Sequence, residues 1–170
     1  MEKTVLIVDD DEMERGMICD VLSERYNIIE AESGNQAIKI IDDMHNTLSA
    51  IILDYMMSDG NGIDVLEHMN KTNDIKKIPV LMLTGERHNE VEKKCLEMGA
   101  VDYIKKPVEA VLVEIRTRNA CNIFEYKRDL EAKVAKQMDT LQKQNRLLMI
   151  QSERIKKSKE KMGDVLGTIV

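Results

Sequence analysis

Apolar residues in the first part of the chain fall in short runs, each closed by a polar or charged residue. Val5-Leu6-Ile7-Val8 is followed at once by Asp9-Asp10-Asp11, and Ile51-Ile52-Leu53 by Asp54. Val80-Leu81-Met82-Leu83 leads into Thr84, and Tyr103-Ile104 into Lys105-Lys106-Pro107. Helix-like segments lie between the runs. The alternation predicts strands at 4–8, 27–31, 50–53, 79–83 and 101–104, with helices at about 12–24, 34–45, 62–71, 89–98 and from 108 onward. Ser33-Gly34 opens the second helix, and Gly99 closes the fourth in the manner of a left-handed cap. Five such units with right-handed crossovers make an α/β three-layer sandwich around a five-stranded parallel sheet. The carboxyl ends of parallel strands share one edge, where ligands bind. Three carboxylates, a hydroxyl and an ammonium are therefore expected in one crevice.

Beyond Val108 the pattern changes. Pro79 and Pro107 are the only prolines, and no glycine occurs between Gly99 and Gly163. An unbroken helix from 108 to 162 is expected, roughly 80 Å long at 1.5 Å per residue. Val134, Leu141, Leu148, Ile155 and Met162 recur every seven residues, while the companion line runs Leu130, Gln137, Gln144, Gln151, Ser158 and Val165. One apolar and one largely glutamine line read as a coiled-coil seam of modest stability, with a parallel homodimer as the expected assembly. The domains expected are thus 1–120 for the sandwich and 121–162 for a coiled-coil helix continuing its fifth helix. Residues 163–170, which turn apolar again, read as the start of an output domain cut off from this chain.

Charge follows the same division. The net charge of −6 splits into 14 Lys and Arg against 24 Asp and Glu over residues 1–122, and 11 against 7 over 123–170. The basic run Arg154 to Lys161 contains no aromatic residue, and Ile155 belongs to the seam, so a solvated helix face is expected and no direct nucleic-acid binding. Cys19, Cys95 and Cys121 lack metal-ligand spacing and read as idle thiols in a reducing compartment. With no membrane-length apolar stretch and no signal peptide, a cytoplasmic location and no membrane contact are expected.

Val8-Asp9-Asp10, Asp54 with Gly62 eight residues on, Thr84-Gly85 and Lys106-Pro107 resemble, in order and spacing, the receiver domains of bacterial two-component response regulators. The likeness covers residues 3 to about 120. It implies a flavodoxin-like sheet of order 2-1-3-4-5. It also implies a Mg²⁺-dependent reaction in which Asp54 accepts a phosphoryl group from a partner histidine kinase. Asp54 suits that role as a carboxylate nucleophile, and three clustered carboxylates call for a hard divalent cation. By the resemblance, Asp10 and Asp54 bind Mg²⁺ directly, Asp9 acts through a water, and the backbone carbonyl of Met56 completes the set. Lys106 and Thr84 would meet the phosphoryl oxygens, and Lys106-Pro107 would hold a cis bond. Thr84 and Tyr103 are the switch pair, acting on the face of the fourth helix, fifth strand and fifth helix. Lys105 is expected to be solvated and Asp11 to be a cap. Arg15, Glu86 and Arg87 lie near the site without an assigned role.

Two positions depart from the family pattern. Ser58 stands where proline is usual, which predicts a looser loop after Asp54. Met56 cannot hydrogen-bond an attacking water, which predicts slow self-dephosphorylation. Two other function classes fit parts of the pattern: a phosphohydrolase with an aspartyl-phosphate intermediate, and a structural dimerisation adaptor with a vestigial site. Asp54-Tyr55-Met56 lacks the second acid of the Asp-x-Asp pattern that haloacid-dehalogenase-type enzymes resemble. No histidine occurs in the tail, so it is not a histidine-kinase dimerisation helix. The end of the chain is similar to the entry into HD-type phosphodiesterase domains that hydrolyse cyclic di-GMP, but their His-Asp metal motifs are not in this sequence. The chain itself is therefore expected not to be an enzyme beyond its own phosphorylation and dephosphorylation.

Overall fold

Val5, Leu6, Ile7 and Val8 are all fully buried, which a strand achieves only when both faces of its sheet are covered. In the computed structural model, which describes residues 3–58, 60–85 and 89–167, that strand is β1 (Thr4–Val8). It is followed by α1 (Glu12–Leu22), β2 (Asn27–Ala31), α2 (Gly34–Met44), β3 (Leu48–Asp54), α3 (Gly62–Thr72), β4 (Val80–Thr84), α4 (Asn89–Glu97), β5 (Asp102–Lys105) and α5 (Ala110–Gly167). The five strands are parallel in the order β2-β1-β3-β4-β5. The flavodoxin-like expectation is met, with a long C-terminal helix.

The period-two alternation of each strand sorts the core into two layers. Leu6, Val8, Ile51, Leu53, Val80 and Met82 pack with Ala37, Ile41, Leu66 and Met69 of α2 and α3. Val5, Ile7, Ile52, Leu81, Leu83 and Ile104 pack with Ile18 and Leu22 of α1 and with Val113, Ala120 and Cys121 of α5. Register then fixes the edge that matters. Val8 pairs with Leu53, Asp54 with Leu83, and Thr84 with Lys105. The residues just past these positions therefore converge at one edge of the sheet.

Several boundaries differ from the sequence expectation. β3 begins at Leu48 and ends on Asp54 itself, because the ladder to β4 continues through that residue. Met56–Met57 and Gly60–Asn61 form an unexpected two-residue antiparallel ladder in the loop after Asp54. Gly99 does adopt a positive φ of 104°, and a Cβ there would meet Ile75 at 2.9 Å. Gly163 does not end the last helix at Met162; the backbone stays helical to Gly167. One glycine costs a helix about 1 kcal/mol without removing a hydrogen bond, so it need not terminate it. The last three residues of the expected output-domain entry, 168–170, lie outside the described residues, as do Glu86 and Arg87.

The chain divides into two compact units, Met1–Tyr126 and Lys127–Val170. In the second, every residue from 127 to 162 is exposed, including Leu130, Val134, Leu141, Leu148, Ile155 and Met162. Among the described residues no helix is long and apolar enough to cross a membrane. The three cysteines are free thiols, and burial pushes those of Cys19 and Cys121 up to about 11. They are poor nucleophiles.

Thr117 of α5 is fully buried, and its hydroxyl has no hydrogen-bond partner among the described residues. Thr117→Val keeps the shape and removes the orphan group. It is expected to stabilise the fold by about 1 kcal/mol, read as a rise of several degrees in thermal midpoint. A drop would show that the hydroxyl is bonded in solution.

Candidate functional site

Three loops at the carboxyl edge of the sheet carry the site. After β1 the chain turns into α1 through Asp9, Asp10 and Asp11. Asp11 is the N-cap, its carboxylate accepting from the backbone N–H of Met13 at 2.8 Å and Glu14 at 3.0 Å. That leaves Asp9 and Asp10 for other work. Asp9 is fully buried and Asp54 nearly so, while Asp10 is exposed. A carboxylate oxygen from each of the three lies within 4.8 Å of the others.

Lys106, directly after β5, reaches back into this cluster. Its Nζ is 3.0 Å from Asp54 Oδ2, 3.2 Å from Asp9 Oδ2 and 2.6 Å from Glu14 Oε2. Its backbone N–H donates to the carbonyl of Thr84 at 2.8 Å, and the Lys106–Pro107 peptide is cis. Lys105 turns the other way, its side chain half-exposed, 3.2 Å from buried Glu92 and 5.8 Å from the centre of the Tyr103 ring. Thr84 is fully buried, and its Oγ1 lacks a hydrogen-bond partner among the described residues. Tyr103 is half-buried against the core layer that includes Met82. The structure thus brings Asp9, Asp10, Asp54 and Lys106 together and puts Thr84 on the neighbouring strand end.

Four residues that build the site escaped the sequence reading or were left without a role. Arg15 donates to the Asp9 carbonyl at 2.8 Å and to Glu30 at 2.9 Å, tying the end of β1 to β2. Glu14 is the third partner of Lys106. Gly62 opens α3 so close to Asp54 that a Cβ would lie 2.5 Å from its carbonyl oxygen, so no larger residue fits without a shift. Ser58, which stands where proline is usual, donates its backbone N–H to Asp10 Oδ2 at 2.6 Å, a bond that proline cannot make. Nothing local signals Ser58.

Charge in the cluster is unevenly held. Burial pushes Asp54 up to about 6, against the pull of Lys106. Burial also raises Asp9, whereas the Ser58 N–H holds Asp10 low. For Lys106, burial works against the ammonium, but hydrogen bonds to Glu14 and Asp54 outweigh it and its pKa rises. Hard oxygen donors, clustered and short of positive charge, fit a divalent cation such as Mg²⁺. The orphan Thr84 hydroxyl fits an additional acceptor beside them.

The raised Asp54 has a measurable sign. Its folded pKa of about 6 exceeds the ordinary 3.8, so the folded state holds the proton longer than the unfolded state. Stability from this group falls as pH rises from about 4 to 6, by on the order of 1–3 kcal/mol. In metal-free buffer, Asp54→Asn is expected to match the wild type near pH 4 and to melt progressively higher above it. Mg²⁺ should then stabilise the wild type more than the variant. A difference that is flat with pH would refute the buried-carboxylate account.

The chain matches the response regulator receiver domain over residues 5–117. It is 35% identical over 105 residues to the two-component response regulator ORR11 of Oryza sativa subsp. indica, covering 61% of this chain and 71% of that one. It is 33% identical over 108 residues to ORR3 of Oryza sativa subsp. japonica, covering 63% and 82%. A putative response regulator from Chloroflexus aurantiacus J-10-fl superposes with a TM-score of 0.66 at 30% identity, over 72% of this chain and 99% of that chain. The signal receiver domain of a putative Luxo repressor protein from Vibrio parahaemolyticus gives 0.71 at 23% identity over 77% and 98%, a likeness of fold alone. The family match spans more than half of the chain, and the chain belongs to the response regulator receiver family, with residues 5–117 as its receiver domain.

Proposed function

We propose that this receiver accepts a phosphoryl group on Asp54 from the phosphohistidine of a partner sensor kinase. The observation that carries the reading is the Lys106 ammonium held between buried Asp54 and Asp9. Receiver domains accept phosphoryl groups from histidine kinases and generally use Mg²⁺. A carboxylate oxygen of Asp54 forms the bond to phosphorus as the phosphorus–nitrogen bond breaks, and its electron pair stays on the departing imidazole, which takes a proton from solvent. Lys106 offsets the charge on the phosphoryl oxygens, and Thr84 donates its hydroxyl hydrogen to one of them. Asp10, Asp54 and the Met56 carbonyl would hold Mg²⁺, with Asp9 acting through a water, and the ion would supply the remaining charge neutralisation. Exposed Met56 offers no hydrogen bond to an attacking water, which favours a long-lived acyl phosphate.

Thr84 bonding to the phosphoryl group leaves room for Tyr103 to turn inward, and that rearrangement is the switch. The output runs through α5. Its residues Val113, Ala120 and Cys121 pack on the sheet, and its later residues include the exposed apolar seam from Leu130 to Met162. A helix with no buried residue over 127–162 has no core of its own, and pairing with a second copy in parallel would cover the seam. The glutamine line sets register at a cost in stability. The tail then passes the signal to an output domain beyond it.

With a small phosphoryl donor and Mg²⁺, the intact mass should rise by one phosphoryl group. The gain should be labile to hydroxylamine, as an acyl phosphate is, and absent in Asp54→Asn. In Met56→Asn the phosphoprotein half-life should shorten. No mass gain in the wild type, or a gain that survives Asp54→Asn, overturns the assignment; an unchanged or longer half-life overturns only the role of Met56. Light scattering with and without Mg²⁺ and beryllofluoride tests the tail. A dimer in either condition supports pairing through the helix, whereas a monomer in both refutes it.

A further inference from the structure

Lys106 has more carboxylate partners than the phosphoryl reading needs. An ammonium carries three donors, and three carboxylates surround this one. Asp9 and Asp54 are fixed at strand ends with essentially no solvent contact. Glu14 differs from both: it reaches in from the first turn of α1, its side chain is 28% exposed, and at 2.6 Å it makes the shortest of the three contacts. A phosphoryl group on Asp54 brings further acceptor oxygens, so Lys106 must give up a bond to meet them. Giving up Asp9 would strand a buried carboxylate without its cation, which is costly. Giving up Glu14 costs little, because that side chain has a route to water.

We infer that Glu14 is a positioning residue that holds the Lys106 ammonium on the α1 side of the site and restrains its engagement with an incoming phosphoryl group. The inference rests on the reading of Asp54 as phosphoacceptor. Glu14 acts on the two ligands in opposite senses. Its negative charge beside Asp9 and Asp54 favours a divalent cation and disfavours a phosphoryl dianion. While it holds Lys106, it also keeps that ammonium from pairing more fully with Asp54, which again favours the cation. Removing its charge should therefore weaken Mg²⁺ and strengthen phosphoryl-like anions. A residue needed only for folding would move both affinities the same way.

The test uses the full chain with Glu14→Gln and Glu14→Asp. Phosphorylation by phosphoramidate is followed by intact mass at saturating Mg²⁺, and Mg²⁺ and beryllofluoride affinities are measured by calorimetry. Glu14→Gln is expected to be phosphorylated about two- to fivefold faster and to bind beryllofluoride tighter by a similar factor, the range for a partly exposed ion pair. Its Mg²⁺ affinity should fall about twofold. Glu14→Asp keeps the charge but is one methylene short of Lys106, so it should keep its Mg²⁺ affinity and gain part of the rate. An unchanged or slower rate in Glu14→Gln overturns the inference, as do two affinities that move together. A wild type that takes no phosphoryl group defeats the phosphoacceptor reading and this inference with it. A phosphorylated wild type with no faster variant defeats this inference alone.

Discussion

Two carboxylates almost without solvent contact, Asp9 and Asp54, share one ammonium, and the rest of the site is arranged around that imbalance. Ionised carboxylates in a dry sheet edge are expensive unless cations approach them. Lys106 supplies one positive charge to a cluster that also includes Asp10 and Glu14. The deficit shows in the titration of the two buried acids, both raised by burial in spite of the lysine. A site built this way fits a hard divalent cation such as Mg²⁺.

The fold holds the charges in place with backbone rather than with side-chain flexibility. β1, β3, β4 and β5 run parallel in a register that ends at nearly the same level, so Asp9 and Lys106, just past β1 and β5, share one edge with Asp54 and Thr84, the last residues of β3 and β4. Arg15 secures the carbonyl of Asp9, and the Ser58 N–H secures the carboxylate of Asp10. The close approach of Gly62 to the Asp54 carbonyl brings α3 against the end of β3. Both layers of aliphatic core stand behind these positions. Lys106 and Glu14 reach the cluster on long side chains.

The second unit obeys a different constraint. From 127 to 162 no residue is buried, and a single helix of that length gains little from its own hydrogen bonds in water. The exposed apolar residues extend beyond the heptad line: Met138, Leu147, Met149 and Ile150 are exposed as well. Leu147, Leu148, Met149 and Ile150 are consecutive, so at 3.6 residues per turn they surround the helix axis and three of them lie off the heptad line.

Sequence alone determined the order of the five sheet strands and the helices between them, the long last helix, and the placing of Asp9, Asp10, Asp54, Thr84 and Lys106 at one edge of the sheet. These are legible because parallel strands are short apolar runs, and residues closing such runs must lie at one edge. Asp11 as a cap was legible too, since capping depends on residues two and three positions away. What only the tertiary structure decided is which groups touch across loops. Glu14 on Lys106, Ser58 on Asp10 and Gly62 on Asp54 each join segments distant in sequence or set by a turn that has no periodic signature. Periodicity reports which face a residue occupies. The distance between two charges depends on register, on turn geometry and on side-chain reach, and these are settled only when the chain is packed.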